Sequence, residues 1–204
     1  MRGWFISFEG PDKAGKSTQL ALFCEYLTRK GIQFHLTREP GGTPVGERIR
    51  DIILDPNSEM NDMCEAMLYA AARSESVQRV LLPRLNAGQN VLSDRYVDSS
   101  IVYQGAGRGL GVERVAALNR FATDDLLPDM TVYLSLSPQK AFSRMTGEKD
   151  RLEQAGPAFH EKVFAAYEAL AAADTGRFCV IDAAQSVEAV HAAIVSAFEA
   201  RFGA

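Results

Sequence analysis

Only three cysteines occur in 204 residues, at 24, 64 and 179, and none forms a CxxC pair. An odd count without a leader argues against a disulfide framework. Each is expected to be a small buried apolar residue. The histidines are equally few: His35, His160 and His191 stand in no metal-ligand spacing and carry no assigned role. Long apolar runs are missing. None approaches the ~20 residues that span a bilayer, and the segment from Met1 to Glu9 is too poor in apolar residues for a signal peptide. Blocks of Lys or Arg are missing too, and the net charge is −4. Duplex or strand binding needs a basic stripe, so no nucleic-acid partner and no membrane partner is expected. The expectation is a cytoplasmic protein that binds small molecules and holds any anionic one with local arginines.

Hydrophobic residues make up 47% of the chain, enough for a sizeable core. Short apolar runs alternate with helical patterns. Residues 4–8, 32–37, 91–94, 131–136 and 178–182 read as strands. Residues 17–30, 45–54, 62–85 and 112–123 read as helices, and further helices start near Pro138, Pro157 and Ser186. Met63, Met67 and Ala70 share a helical stripe and are read as core. Parallel strands need crossover connections, so this alternation predicts an α/β three-layer sandwich around a five-stranded parallel sheet. Ligands in such sheets bind outside the carboxyl ends of the strands. One domain over residues 1–204 is expected, with a small mobile lid at about 143–156.

Gly10-Pro11-Asp12-Lys13-Ala14-Gly15-Lys16-Ser17 fits GxxxxGK[ST], after a strand and before a helix. Glycines let consecutive N–H groups curl around an anion, and the helix start adds unsatisfied donors. Lys16 can reach the β- and γ-phosphates of a nucleoside triphosphate, and Ser17 can ligate Mg²⁺. The loop from Gly10 through Thr18 is thus the expected ATP site of a P-loop NTPase. Asp94, at a strand end, is a second candidate for holding Mg²⁺ or its waters. No Asn-Lys-x-Asp follows any strand, which disfavours a GTPase.

Other signals fall after the second and third strands: Thr37-Arg38-Glu39-Pro40-Gly41-Gly42-Thr43 and Ser93-Asp94-Arg95-Tyr96. Between them lies Leu68-Tyr69-Ala-Ala-Ala-Arg73. Arg38, Arg73 and Arg95 would meet beside the phosphate loop as a second anion site, suited to a second phosphate-bearing substrate. Tyr69 and Arg73 are four apart and share a helix face, so a ring can stack on a base while the guanidinium binds a phosphate or the base edge.

The Thr-Arg-Glu-Pro-Gly-Gly-Thr string, with a phosphate loop before it and Asp-Arg-Tyr-x-Asp-Ser-Ser-x-x-Tyr-Gln-Gly after it, resembles the thymidylate kinase family. The resemblance implies γ-phosphoryl transfer from ATP to dTMP with Mg²⁺, in a homodimer that could use the helix around residues 60–72. It implies that Arg38, Arg73 and Arg95 bind the acceptor nucleotide, that Tyr69 stacks on thymine, and that Asp12 lies near the acceptor sugar. Ser99, Ser100, Tyr103 and Gln104 would sit beside base and sugar, and Glu39, Pro40 and Leu54 would complete the wall. It also implies a cis Glu39–Pro40 bond. The loop Gly105–Gly111 reads as a flexible surface turn, with Arg108 unconnected to the chemistry.

In such kinases a polar lid closes over the donor phosphates, excludes water and neutralises charge. Arg144 and Arg151 are the expected clamps. Relatives carry a key basic residue either in the phosphate loop or in the lid; here Lys13 stands in the loop while the lid keeps Arg144, Lys149 and Arg151, so the division of labour is open. Two rivals stay open as well: a kinase of another acceptor, such as a deoxynucleoside, and a nucleotide-binding module without catalysis.

Overall fold

The computed structural model describes residues 2–144 and 155–203. Five strands, β1 (Phe5–Glu9), β2 (Phe34–Arg38), β3 (Asn90–Asp94), β4 (Met130–Ser135) and β5 (Phe178–Asp182), form one sheet in the order β2-β3-β1-β4-β5. Every pairing is parallel. All five residues of β1 are buried. A central parallel strand is covered on both faces, so it reads as continuous apolar sequence and not as an alternation. The chain leaves β1 towards β2, returns through β3, and then crosses to β4. The loop after β1 therefore lies where the winding reverses, the place such sheets leave open for a ligand.

On one face α1 (Lys16–Arg29) packs against α9 (Val187–Phe202). Phe23, Leu27, Ile194 and Phe198 are at most 1% exposed there. Burial of each contributes about 1.5–3 kcal/mol, which anchors the helix that the phosphate loop opens. The other face carries α2 (Pro44–Leu54), α3 (Asp62–Ser76), α4 (Leu82–Asn86), α5 (Val97–Ser100), α6 (Val112–Thr123), and α8 (Pro157–Ala173), while α7 (Pro138–Ser143) follows β4. Thr43 caps α2 by accepting from the Gly46 N–H, with Pro44 at the first turn. Asn61 caps α3 in the same way.

Three expectations change. The helix expected over 62–85 is interrupted by a π segment, Val77–Leu81, before α4. Pro83 has no N–H for the carbonyl four residues back, and the wider turn absorbs that break. The first three residues of the surface turn expected at 105–111 belong instead to a π helix, Ile101–Gly107, running on from α5 and mostly buried. Gly107 is there for close packing, because a Cβ would come 2.5 Å from the Phe159 ring. Among residues expected in the core, Met67 is 55% exposed and Cys64 is exposed; Cys24 and Cys179 are half-buried. Of the expected lid, 145–154 lies outside the described residues. No described helix is long and apolar enough to cross a membrane.

Candidate active site

The phosphate loop folds as its glycines dictate. Gly10 has φ 140°, and a Cβ there would lie 2.6 Å from the Leu134 carbonyl oxygen on β4. Gly15, at φ 92°, caps α1 in the left-handed region. Lys13 also has positive φ, and its carbonyl accepts from Arg144 at 3.3 Å, while Arg144 also reaches the Ala183 carbonyl at 3.1 Å. The end of α7 is thus tied to the loop. A cavity of about 440 Å³ opens above it, lined by Lys13, Gly15, Lys16, Ser17, Thr18 and Arg144. Gly10, Pro11 and Ala14, expected in the ATP site, do not line it.

Lys16 is 8% exposed, and its ammonium donates to the carbonyls of Gly10 and Pro11 at 3.0 and 3.1 Å. Burial, then the nearby Arg95 charge, pushes it down to about 8. With two of its three N–H groups on loop carbonyls, one donor is left for the cavity.

A second, smaller cavity of about 150 Å³ lies alongside. Pro40 and Leu54 are its apolar wall, Tyr69 contributes a ring, and Ser99, Ser100, Tyr103 and Gln104 line it from the helix after β3. The Glu39–Pro40 peptide is cis, as the resemblance implied. Asp12, Glu39 and Arg95 line both cavities, so the two are neighbours with a common wall.

The three expected arginines behave differently. Arg95 sits on the common wall with φ 69°, a left-handed backbone that costs a non-glycine residue roughly 1–2 kcal/mol. Its guanidinium donates to the Asp12 carboxylate at 2.5 Å, to Ser99 Oγ at 3.0 Å and to the Gly10 carbonyl at 3.2 Å. Burial raises the Asp12 carboxyl, but the charges of Arg95 and Lys16 outweigh it and hold Asp12 below its ordinary value. Arg73 is 2% exposed and lines the smaller cavity. Its Nε donates to Glu39 at 2.5 Å, Nη1 to Ser100 at 2.9 Å and to Asn119, and Nη2 to the Tyr96 carbonyl at 3.1 Å. Four of its five N–H groups are so committed, which leaves one for a ligand. Arg73 is therefore no free phosphate clamp. Arg38 lines only the loop cavity, half-exposed and paired with Glu47 at 2.7 Å. The expected meeting of all three at one point is corrected: Arg95 is the shared member, with Arg73 on one side and Arg38 on the other.

Sequence reading missed Arg50, which lines both cavities and donates to the Pro40 carbonyl at 2.9 Å. The signal was present: Arg50 is four residues before Leu54 on α2, hence on the same face. It also missed Glu65 and misjudged Arg108. Gln104 Nε2 donates to the fully buried Glu65 at 2.8 Å, and Arg108 clamps Glu65 at 3.1 Å. That bond fixes the amide so that its carbonyl oxygen is the end left for the cavity. Arg151 and Lys149 lie outside the described residues.

One buried atom fits a cation. Asp94 Oδ1 has no hydrogen-bond partner among the described residues, and Asp94 and Ser17 line the same cavity. A buried carboxylate oxygen without a donor is costly unless a cation or its bound water takes it up. Two oxygen donors beside a phosphate loop suit Mg²⁺, which keeps most of its waters and needs few protein ligands. Asp94→Asn should raise the Mg²⁺ concentration for half-maximal velocity by about 10–100-fold. Velocity titrated against Mg²⁺ at fixed ATP measures this, and an unchanged midpoint removes Asp94 from the metal site.

A family model described as thymidylate kinase matches residues 8–194 of the chain. The thymidylate kinase of Lactobacillus delbrueckii subsp. bulgaricus is 47% identical over 208 residues, covering 99% of this chain and 98% of the relative. That of Caldanaerobacter subterraneus subsp. tengcongensis is 47% identical over 200 residues, with 98% and 96% covered. That of Symbiobacterium thermophilum is 48% identical over 188 residues, with 91% and 88% covered.

Proposed function

The chain belongs to the thymidylate kinase family, and from that premise we propose how its residues carry phosphoryl transfer from ATP to dTMP. The reading rests on one observation: a phosphate-loop cavity and a base-sized cavity share the wall formed by Asp12 and Arg95. ATP occupies the first with its γ-phosphate at that wall. dTMP occupies the second, with its phosphate at the same wall.

The ring of Tyr69 offers a platform for the base. The remaining Arg73 N–H matches the O4 carbonyl of thymine, and the Gln104 carbonyl matches its N3–H. Pro40 and Leu54 accept the methyl group, which supplies only ~1–3 kcal/mol of preference. The acceptor oxygen of dTMP is already anionic, so no strong general base is needed. Catalysis consists of alignment and charge neutralisation. Lys16 and Arg95 neutralise charge on the transferred group, Arg50 meets the acceptor phosphate, and Arg38 guards the entrance. Ser17 and Asp94 would hold Mg²⁺, which would neutralise charge on the donor phosphates. Arg144, tied to the loop at the Lys13 carbonyl, stands where it can clamp the donor phosphates, within a single kinase domain.

A coupled ADP-release assay across nucleoside monophosphates and thymidine tests the reading. The expected result is turnover with dTMP far above the other acceptors. Turnover with thymidine alone would transfer the chain to the nucleoside kinases, and tight ATP binding without transfer would leave a binding module.

The working form is a cytoplasmic homodimer. Helices α2, α3 and α6 pack side by side and expose Ile52, Met67 and, at 91%, Phe121. Apolar side chains on three adjacent helices favour burial against a second copy. Sedimentation should find a dimer, and Met67→Glu with Phe121→Glu should find a monomer; a wild-type monomer would end this part of the reading.

A further inference from the structure

Glu9, the last residue of β1, is a carboxylate with 0% exposure and, among the described residues, no arginine or lysine bonded to it. Its partners are instead an amide and two hydroxyls. Oε1 accepts from the Tyr96 N–H at 2.7 Å. Oε2 accepts from Ser99 Oγ at 2.6 Å and from the Tyr167 hydroxyl at 2.8 Å. Tyr96 follows Arg95, whose left-handed backbone places its N–H on the Phe8 carbonyl at 2.9 Å. Ser99 is the residue whose oxygen accepts from Arg95 Nη1 at 3.0 Å. Glu9 thus grips both ends of the Arg95 arrangement, the backbone turn and the side-chain acceptor.

We propose that Glu9 is a positioning residue for phosphoryl transfer, holding the Arg95 guanidinium at the wall between the two cavities through the Tyr96 amide and the Ser99 hydroxyl. Arg95 must stand at one place with its charge exposed to the transferred group. Asp12 holds Nη2, and the Gly10 carbonyl and the Ser99 hydroxyl together hold Nη1. Because the Ser99 proton is committed to Glu9, the Ser99 lone pairs face Arg95. A charged Glu9 keeps that polarity, and a protonated one has a lone pair fewer for three donors.

The surroundings put this equilibrium within reach of neutral pH. Burial raises the Glu9 carboxyl to about 7, with the Asp98 charge adding to the rise and Arg95, Ser99 and Tyr167 opposing it. Asp98 faces it from α5 and is itself paired with Arg177 at 2.6 Å. Lys16 from α1 and Tyr103 from the helix after α5 also feel its charge. Tyr133, opposite Glu9 on β4, stacks on Tyr167 at 4.9 Å and sets that ring. A raised folded value means that the charged form is lost as pH falls through about 7, so the turnover number should fall with it on the acid side.

This inference rests on the kinase reading, so wild-type turnover of dTMP is the control: without it that reading fails and the positioning role is moot. With it, Glu9→Gln should lower kcat by about 10–100-fold with the KM of ATP unchanged, and should remove the acid limb near neutrality. Tyr167→Phe lies away from both cavities and deletes one hydrogen bond to the charged carboxylate. It should move the acid limb about one pH unit upward, a shift that the second ionisation of the dTMP phosphate cannot imitate because the substrate is unchanged. Should Glu9→Gln fail to fold, Tyr167→Phe decides alone. Wild-type kcat in Glu9→Gln, or an unmoved midpoint in Tyr167→Phe, overturns the proposal.

Discussion

Lys16→Met should stop phosphoryl transfer while leaving the protein about as stable as before. The ammonium already donates inside the phosphate loop, to the Gly10 and Pro11 carbonyls. Binding a triphosphate adds anionic oxygens to the third donor, and charge that develops during transfer strengthens that bond. Removing one such donor costs about 10²–10³-fold in kcat, and here it is also the nearest full charge. The stability side runs the other way. Lys16 drops from 10.5 in a free side chain to about 8 when folded, so the unfolded chain holds the proton more tightly. The buried charge costs stability at neutral pH, of order 3 kcal/mol, and that cost is relieved as pH rises from about 8 to 10.5. Methionine removes the cost but takes one hydrogen bond from each of two carbonyls, about 0.5–1.5 kcal/mol each, while Gly10 keeps the Arg95 guanidinium and Pro11 keeps the Ala14 N–H. The two nearly cancel, so Tm should stay within about 5 °C of wild type. Coupled-assay kinetics and a thermal melt read both halves. Turnover within tenfold of wild type would defeat the assignment of the loop; a collapse of Tm would mean that Lys16 holds the fold.

The phosphate loop was legible because its chemistry is local: spacing, glycine positions and the strand-to-helix context lie within a dozen residues. The sheet followed from the alternation of apolar runs with helical periods, and β5 falls where it was expected. What escaped was decided by contacts distant in sequence. Nothing near Gly105 says that Phe159, on α8, will press against Gly107 and turn a glycine-rich stretch into buried helix. Nothing near Glu9 says that a strand residue will meet Tyr96, Ser99 and Tyr167. Met67 has helical spacing with Ala70, yet Ala70 is buried while Met67, at 55% exposure, stands on the outside of α3. Arg38 and Arg73 both stand at plausible positions for an anion site. Only the fold separates the exposed one from the one built into the core.

That separation makes Arg73→Ala the second large effect, and it acts on two quantities at once. Arg73 and Glu39 are 2% and 1% exposed in their side chains and 2.5 Å apart. Burial already pushes the Glu39 carboxyl up against the pull of Arg73. Taking away the guanidinium leaves a buried carboxylate without its cation, and leaves Ser100, Asn119 and the Tyr96 carbonyl without a donor. Breaking one side of such a pair costs about 3–5 kcal/mol, which lowers Tm by about 6–20 °C at this chain length. The folded Glu39 then takes up a proton more readily than the unfolded one, so the loss should be smallest at acid pH and grow as pH rises above the ordinary carboxylate range. Replacing both partners, Arg73→Met with Glu39→Leu, removes the stranded charge and should recover part of the lost Tm. It should not recover substrate binding. The KM of dTMP should rise about 10–100-fold in both variants, since the donor to the base is gone in each, while the KM of ATP should hold. A single variant that melts like wild type would contradict the buried pair, and an unchanged KM of dTMP would take Arg73 out of the acceptor pocket. Only the two effects together, one reversible by the second substitution and one not, match an arginine that braces the pocket with four donors and reads the base with the fifth.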